Sequence, residues 1–370
     1  MLNVLIQNRQ DTRQNPGGDT IQMDHTARFL RRIGCKVDVS FDLTPDLGAY
    51  DVVHLFNLMR PFETLMQAEN ARRQGKPYVL NTIYWDLRAA IPRRAHGFPH
   101  SLLRMLPASA WTWLDRARLG IVQAPGKDTC RSLNLRDIRE IQTHILKGAR
   151  LMIANSHAEK QHLAECFKDI RLDRIRVVMN GVTPVLLPND RPVSRGDGNF
   201  LCAGAIGLRK NQLNAVRAFR QLPQETLVLL GQTAPGHQRY RRAVEQAAGP
   251  NVEFCDRIPH EEVREFMKQA KVYIQPSYIE TPGLAAMEAA AAGIPIVVSD
   301  VRPVREYFGS IACYCDPASP DSIAEASRQA LERDAGDGAE FARRFDWDSV
   351  LEPLESIYAE LGAERLAVGA

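Results

Sequence analysis

The 370-residue sequence predicts an α/β protein with two doubly wound parallel-sheet domains facing a central cleft. Three observations carry this. The chain is longer than one hydrophobic core usually serves, which sets a prior of two domains of roughly 150–190 residues each. Short apolar runs alternate with amphipathic stretches along its length, the rhythm of buried parallel strands covered by helices. That rhythm breaks once, at the Pro-, Gly- and charge-rich "TPVLLPNDRPVSRGDG", and then resumes.

In the first series "NVLIQN", "CKVDVSF", "YDVVHLFN", "PYVLNTIYW", "ARLMIANS" and "IRVVMNG" read as strands. Helices read from "DTIQMDHTARFLRRIG", closed by Gly34, from "PFETLMQAENARRQG" and from "HAEKQHLAECF". In the second series the strands are "NFLCAGAI", "TLVLLG", "NVEFCD", "KVYIQPS" and "IPIVVSD". Its helices are "NQLNAVRAFRQL", "GHQRYRRAVEQAA" and "HEEVREFMKQ", and "FDWDSVLEPLESIYAEL" reads as one final amphipathic helix. The expected boundaries are 1–185 for the first domain, 186–198 for the linker, 199–345 for the second domain and 346–370 for the last helix. Ligands of such sheets meet the carboxyl ends of the strands. The cleft is therefore expected to be lined by loops following Gln7, Leu55, Tyr84, Ala205, Leu230 and Ser277.

With 45% apolar and 25% charged residues the chain has the composition of a folded soluble protein, and a net charge of +3 gives no case for nucleic acid. The charge is uneven, however: Arg88 to Arg150 holds about twelve Lys or Arg against about four acids. Seven scattered cysteines form no disulfide framework or zinc site, and Cys313 and Cys315 are expected on opposite faces of a strand. "MLNVLIQ" is too short for a secretory signal, and no run approaches the ~18 apolar residues of a membrane span. These features point to a cytoplasmic protein with reduced thiols.

The most informative stretch is "SYIETPGLAAMEAAAAGIPIVVSD". Thr281 suits a helix N-cap and Pro282 the first helical position. Gly283 has no side chain to block approach, so the amides of Gly283 and Leu284 are placed to meet an anion, a phosphate above all. Glu288 lies five residues on, about 7.5 Å along the axis at 1.5 Å per residue. That is near the span from a nucleotide's phosphates to its ribose, whose two hydroxyls a carboxylate can accept. Glu280 precedes the helix, near the far end of such a ligand.

A second piece, "CAGAIGLRKNQLNAVRAF", puts Arg209 and Lys210 at the carboxyl end of a strand, where cations suit a diphosphate that gains charge as a bond to it breaks. It is no Walker loop, since no Gly-Lys-Ser/Thr occurs. A third, "NPGGDT", opens a helix after the first strand; Gly17 and Gly18 permit close backbone approach, or form a plain turn.

In this order the three pieces resemble the retaining glycosyltransferases of the GT-B fold, specifically the large group 1 family often called family 4. The resemblance runs over most of the chain and is best through Lys210 and the E-x7-E stretch Glu280 to Glu288. It implies Rossmann-like domains, the first on the acceptor side and the second binding a nucleotide-sugar, and a last helix crossing back to the first domain. It also implies transfer of a sugar from a nucleoside-diphosphate donor with retention at the anomeric carbon, with no metal and no cofactor beyond the donor. Glu288 would hold the ribose. Lys210 with the Gly283 and Leu284 amides after Pro282 would hold the diphosphate, Glu280 would lie near the sugar, and the Gly17–Gly18 loop near phosphates and acceptor.

Two positions depart from the family's pattern. Ala205 stands where the family usually has Arg, with Arg209 a neighbouring substitute, and Trp85 replaces a histidine before Asp86. Asp86 then orients an acceptor hydroxyl or caps a helix; His54 faces the same cleft or is a structural histidine. Arg257 and Ile258 are neighbours for the base only by their place after a strand. Within 88–150, Trp111 and Trp113 beside Arg104, Arg116 and Arg118 fit an interfacial segment that docks on the inner face of a membrane to reach a lipid-linked acceptor, or an ordinary core with solvated arginines. Rival readings are another enzyme of the same fold, such as a nucleotide-sugar epimerase, and a non-catalytic sugar-nucleotide-binding protein.

Overall fold

The computed structural model describes residues 2–86, 127–184, 198–256, 260–333 and 337–368. The Trp-containing part of the basic segment, most of the linker, Arg257 and Ile258 lie outside the described residues. The chain divides into two compact units, and among the described residues it passes between them at Trp85–Asp86, at Gly181–Val182 and at Asp346–Trp347.

The first unit is built on β1 (Asn3–Gln7), β2 (Lys36–Ser40), β3 (Val52–Phe56), β4 (Tyr78–Asn81), β5 (Leu151–Ala154) and β6 (Ile175–Val177). They pair in the order β2-β1-β3-β4-β5-β6, every pair parallel. The central strands β3, β4 and β5 are buried at every position, as unbroken apolar runs such as "LMIA" require when helices cover both faces. Edge strand β2 keeps Lys36 and Asp38 exposed, charges that discourage pairing with another chain. Helices Lys127–Ser132 and Ile138–Gly148, absent from the sequence reading, fill the described part of the basic segment. Ile141, Ile145 and Leu146 of the second of these lie in the core.

The second unit holds β7 (Asn199–Ala203), β8 (Leu227–Leu230), β9 (Val252–Cys255), β10 (Ala270–Gln275), β11 (Ile296–Ser299) and β12 (Ala312–Cys315). Their order is β12-β11-β10-β7-β8-β9, again wholly parallel. Its core closes on Phe200 and Phe219, edge to face with ring centroids 5.0 Å apart. Cys313 and Cys315 both enter that core. They share one face, as residues two apart on a strand do, and correct the expectation of opposite faces.

The terminal stretch is two helices rather than one, Trp347–Leu351 and Pro353–Val368. Pro353 has no amide hydrogen to continue a helix and fits the first turn of a new one.

Both sheets have a point where the strand order reverses, between β1 and β3 in the first and between β7 and β10 in the second. Loops leaving two such neighbours run to opposite faces of the sheet and leave a crevice at the carboxyl ends.

Candidate functional site

At the reversal point of the second sheet, the loops after β7 and β10 are tied together before any ligand is considered. Asn211, held at φ 60°, donates from Nδ2 to the Pro276 carbonyl at 2.8 Å and to the Pro317 carbonyl at 2.6 Å. Tyr278 N donates to Arg209 O at 2.9 Å. Gln212, in the first turn of the helix Gln212–Phe219, donates to Ala205 O at 3.1 Å and accepts from Gly207 N at 3.2 Å. Neither Asn211 nor Gln212 stood out in the sequence, since both look like ordinary polar residues at a helix start.

This clasp brings Lys210 and Glu280 together. Lys210 Nζ donates to Glu280 Oε1 at 2.5 Å, and Arg209 Nη1 lies 3.6 Å from the same oxygen. Glu280 is 5% exposed. Burial opposes its charge, but Lys210 and Arg209 outweigh burial and hold the carboxyl below the usual carboxylate range. The Lys210 stem crosses bare backbone: a Cβ on Gly204 would sit 3.5 Å from Lys210 Cε.

The helix Leu284–Ala291 starts later than the sequence suggests. Gly283, not Thr281, is its N-cap: Ala286 N and Met287 N bond to Gly283 O at 2.9 and 3.1 Å. Pro282 therefore precedes the cap instead of occupying the first turn, and its peptide bond with Thr281 is cis. Glycine is required at 283 twice over. Its φ is +95°, and a Cβ there would meet Gln275 Nε2 at 2.1 Å. Among the described residues the amides of Gly283, Leu284 and Ala285 bond to nothing. These donors form a ready seat for an anion.

Glu288 lies further along the same helix, half-buried, its carboxylate making no hydrogen bond or ion pair to a described residue. Burial pushes its carboxyl up to about 7. The site thus holds two cations sharing one buried acid, three open amides, and a second acid lacking a partner.

In the first unit, Gly17 caps the helix Gly18–Arg32, and its amide is taken by Thr20 Oγ1 at 3.1 Å. Arg9 closes this loop, bonding Asp19 Oδ2 at 2.8 Å, Asp11 Oδ1 at 2.7 Å and Asn15 O at 2.6 Å. His54 is wholly buried on β3, with Nδ1 2.7 Å from Tyr358 Oη and Nε2 2.7 Å from Asn81 Oδ1. Both ring nitrogens are occupied and no surface remains for an acceptor, so this geometry corrects the acceptor role and makes His54 structural. Burial lowers its pKa to about 4, so the ring is neutral. Trp85 stacks on His162, with ring centroids 4.7 Å apart, and Asp86 follows it at the edge of the described residues.

Among the described residues no three His, Cys, Asp or Glu are gathered to hold a metal ion, and no helix is long and apolar enough to cross a membrane.

Two all-parallel six-stranded sheets of this kind constitute the GT-B fold. Sucrose-phosphate synthase from Thermosynechococcus elongatus superimposes with a TM-score of 0.72 at 18% identity, covering 98% of this chain and all of that one. Anabaena HepE in complex with UDP-glucose gives 0.68 at 16% identity, covering 97% and 100%. Residues 189–346 match the family described as glycosyl transferases group 1. The glycogen synthase of Mycobacterium tuberculosis is 26% identical over 244 residues, 62% of this chain and 58% of that protein. The match therefore spans little more than half of that relative. The D-inositol 3-phosphate glycosyltransferase of a Nocardioides species is 25% identical over 407 aligned positions, 94% of this chain and 86% of that protein.

Proposed function

We propose that this chain is a retaining glycosyltransferase that moves a sugar from a nucleoside-diphosphate-sugar to a hydroxyl acceptor, in the assembly of a cell-surface glycan or glycolipid. The observation that carries the reading is the Lys210–Glu280 pair beside the open amides of Gly283, Leu284 and Ala285. A related fold holding UDP-glucose supports this class of donor.

In this mechanism the amides and Lys210 receive the diphosphate, with Arg209 adjoining. Lys210 exchanges Glu280 for phosphate oxygen, and Glu280 turns to the sugar hydroxyls. The bond between the anomeric carbon and the β-phosphate oxygen breaks, and the acceptor oxygen bonds that carbon on the same face. The acceptor proton passes to the departing phosphate oxygen. Charge grows on the diphosphate during this step, so fixed cations and amides stabilise the transition state more than the ground state. No metal and no enzyme nucleophile is assigned a role. Gly18 and Asp86 remain assigned to the phosphate and acceptor sides, and Trp85 to the acceptor.

Glu288 is assigned to the ribose. Glu288→Ala is expected to weaken nucleoside diphosphate binding by roughly 1–3 kcal/mol, the scale of hydrogen bonds to a charged group. Calorimetry on the folded variant checks this; unchanged affinity removes the assignment.

A pH dependence follows. Without ligand the Glu288 carboxyl titrates near 7 because of burial, whereas accepting two hydroxyls favours the ionised form. Below pH 7 binding must therefore expel a proton, and affinity falls as pH drops; above it affinity levels off. The same shift acts oppositely on the empty protein. A carboxyl raised above its unfolded value stabilises the fold at low pH, and that contribution is lost as pH rises through 7. Titrations from pH 5.5 to 8.5, in buffers of different ionisation enthalpy, measure the released proton.

The reading as a whole is tested by thermal shift against UDP, GDP, dTDP and their sugars, followed by product analysis. Stabilisation by one nucleotide and acceptor-dependent release of the diphosphate support it. Absence of binding to all of them ends it, and turnover of donor alone to an isomer transfers the case to an epimerase.

A further inference from the structure

Three side chains meet at the end of the helix His157–Cys166 in an order the transferase chemistry does not use. Cys166 Sγ lies 3.6 Å from His162 Nε2, one turn earlier. The opposite ring nitrogen, His162 Nδ1, lies 3.8 Å from Glu165 Oε2. The imidazole is held flat by stacking on Trp85, with centroids 4.7 Å apart and planes 14° apart, and on Tyr84 at 5.7 Å and 22°. From the neighbouring helix, Arg139 Nη1 donates to the Cys166 carbonyl at 2.8 Å, and its guanidinium covers the Phe167 ring at 4.7 Å.

A thiol at a helix C-terminus ordinarily resists ionisation, because the last carbonyls carry partial negative charge. Here Arg139 occupies the carbonyl of that very residue. Burial also opposes the charge, but His162 and Arg139 outweigh it, and the thiol titrates below the ordinary cysteine range. The other cysteines contrast with it. Cys130, Cys202, Cys313 and Cys315 are buried, and burial raises Cys35. Cys255 is half-buried like Cys166 but lies on β9 without such a histidine contact among the described residues.

We propose that Cys166 is a modification site: its sulfur, paired with His162, exchanges with small disulfides, and the added group displaces His162 from the Trp85 ring. In the exchange the Cys166 thiolate attacks one sulfur of a disulfide such as oxidised glutathione. The reagent's S–S bond breaks, a protein–glutathione S–S bond forms, and the other half leaves as a thiolate, so no further oxidant is needed. His162 holds the proton that the thiol gives up. Trp85 directly precedes Asp86, so the event reaches the loop after β4. The proposal stands apart from the transferase reading, which requires no thiol.

The test uses the full chain with excess oxidised glutathione at pH 7, quenched at intervals and read cysteine by cysteine by mass spectrometry. Cys166 is expected to be modified about tenfold faster than Cys255. A rate equal to or below that of Cys255 overturns the proposal, and this comparison needs no variant. His162→Gln, which keeps a polar side chain and loses the imidazole, is expected to slow Cys166 about tenfold with circular dichroism unchanged; an undiminished rate overturns the pairing. Tryptophan fluorescence is expected to change on modification, and the change is expected to vanish in Trp85→Phe. Its persistence in that variant overturns the link to Trp85.

Discussion

Lys210→Ala is expected to lower turnover by about two to three orders of magnitude, equivalent to the ~3–4 kcal/mol carried by one donor aimed at developing charge. Lys210 Nζ is already aimed at an oxyanion, Glu280 Oε1 at 2.5 Å, and its side chain is only 17% exposed. A cation in such a place is desolvated and fixed, so it need not reorganise when charge appears on the diphosphate. The same change strands Glu280, which keeps only Arg209 at 3.6 Å. Some stability is therefore lost with activity, and the two losses must be told apart. Lys210→Met with Glu280→Gln removes both charges and is expected to recover stability but not turnover. Acceptor-dependent nucleotide release, measured beside thermal unfolding, provides both readings. Turnover within about threefold of the parent chain would remove Lys210 from the chemistry.

The largest loss of stability is expected far from that site, in Glu159→Ala. Glu159 is wholly buried. It accepts from Thr82 Oγ1 at 2.5 Å, from Tyr84 N at 2.7 Å and from Asn155 N at 2.7 Å. One side chain thus satisfies the chain leaving β4 and the turn leaving β5, two strands paired in the sheet. Alanine removes the acceptor shared by the buried Tyr84 and Asn155 amides and leaves Thr82 Oγ1 only its longer contact to Ile153 O at 3.2 Å, whichever form the carboxyl takes. A cost of about 3–5 kcal/mol follows, at the upper end for single substitutions. Glu159→Gln keeps one acceptor oxygen and is expected to lose less. In urea, unfolding of the first unit should move to lower concentration while that of the second stays. Equal movement of both transitions, or a change below about 1 kcal/mol, contradicts this account.

These two residues show what the sequence could and could not disclose. Eleven of the strand positions were legible because short apolar runs have no other use in a doubly wound sheet, and "VVHLF" or "LVLL" declare burial on both faces. Lys210, Gly283, Glu280 and Glu288 were legible by residue type beside a strand's end. The start of their helix was not, because Thr-Pro mimics a cap and first turn so well that Gly283 at positive φ was not read as the cap. Ser156 and Glu159 spell a capping box, and Ser156 Oγ does accept from Glu159 N at 2.9 Å. The reach of Glu159 to Tyr84, 75 positions away, depends on strand order and leaves no local trace. For His54 the sequence left an acceptor contact and a structural role both open, and the choice falls to Tyr358, 304 positions on, whose hydroxyl lies 2.7 Å from Nδ1.

Asn211, by grasping the Pro276 and Pro317 carbonyls, has a consequence for descent as well as for binding. The place for the charged part of a ligand is completed during folding and does not await a visitor. The loop after β8 is drawn into the same frame, since Ile206 N donates to Gln232 O at 2.8 Å and Ala234 N to Ile206 O at 2.9 Å, so a change in either loop is felt by its neighbour.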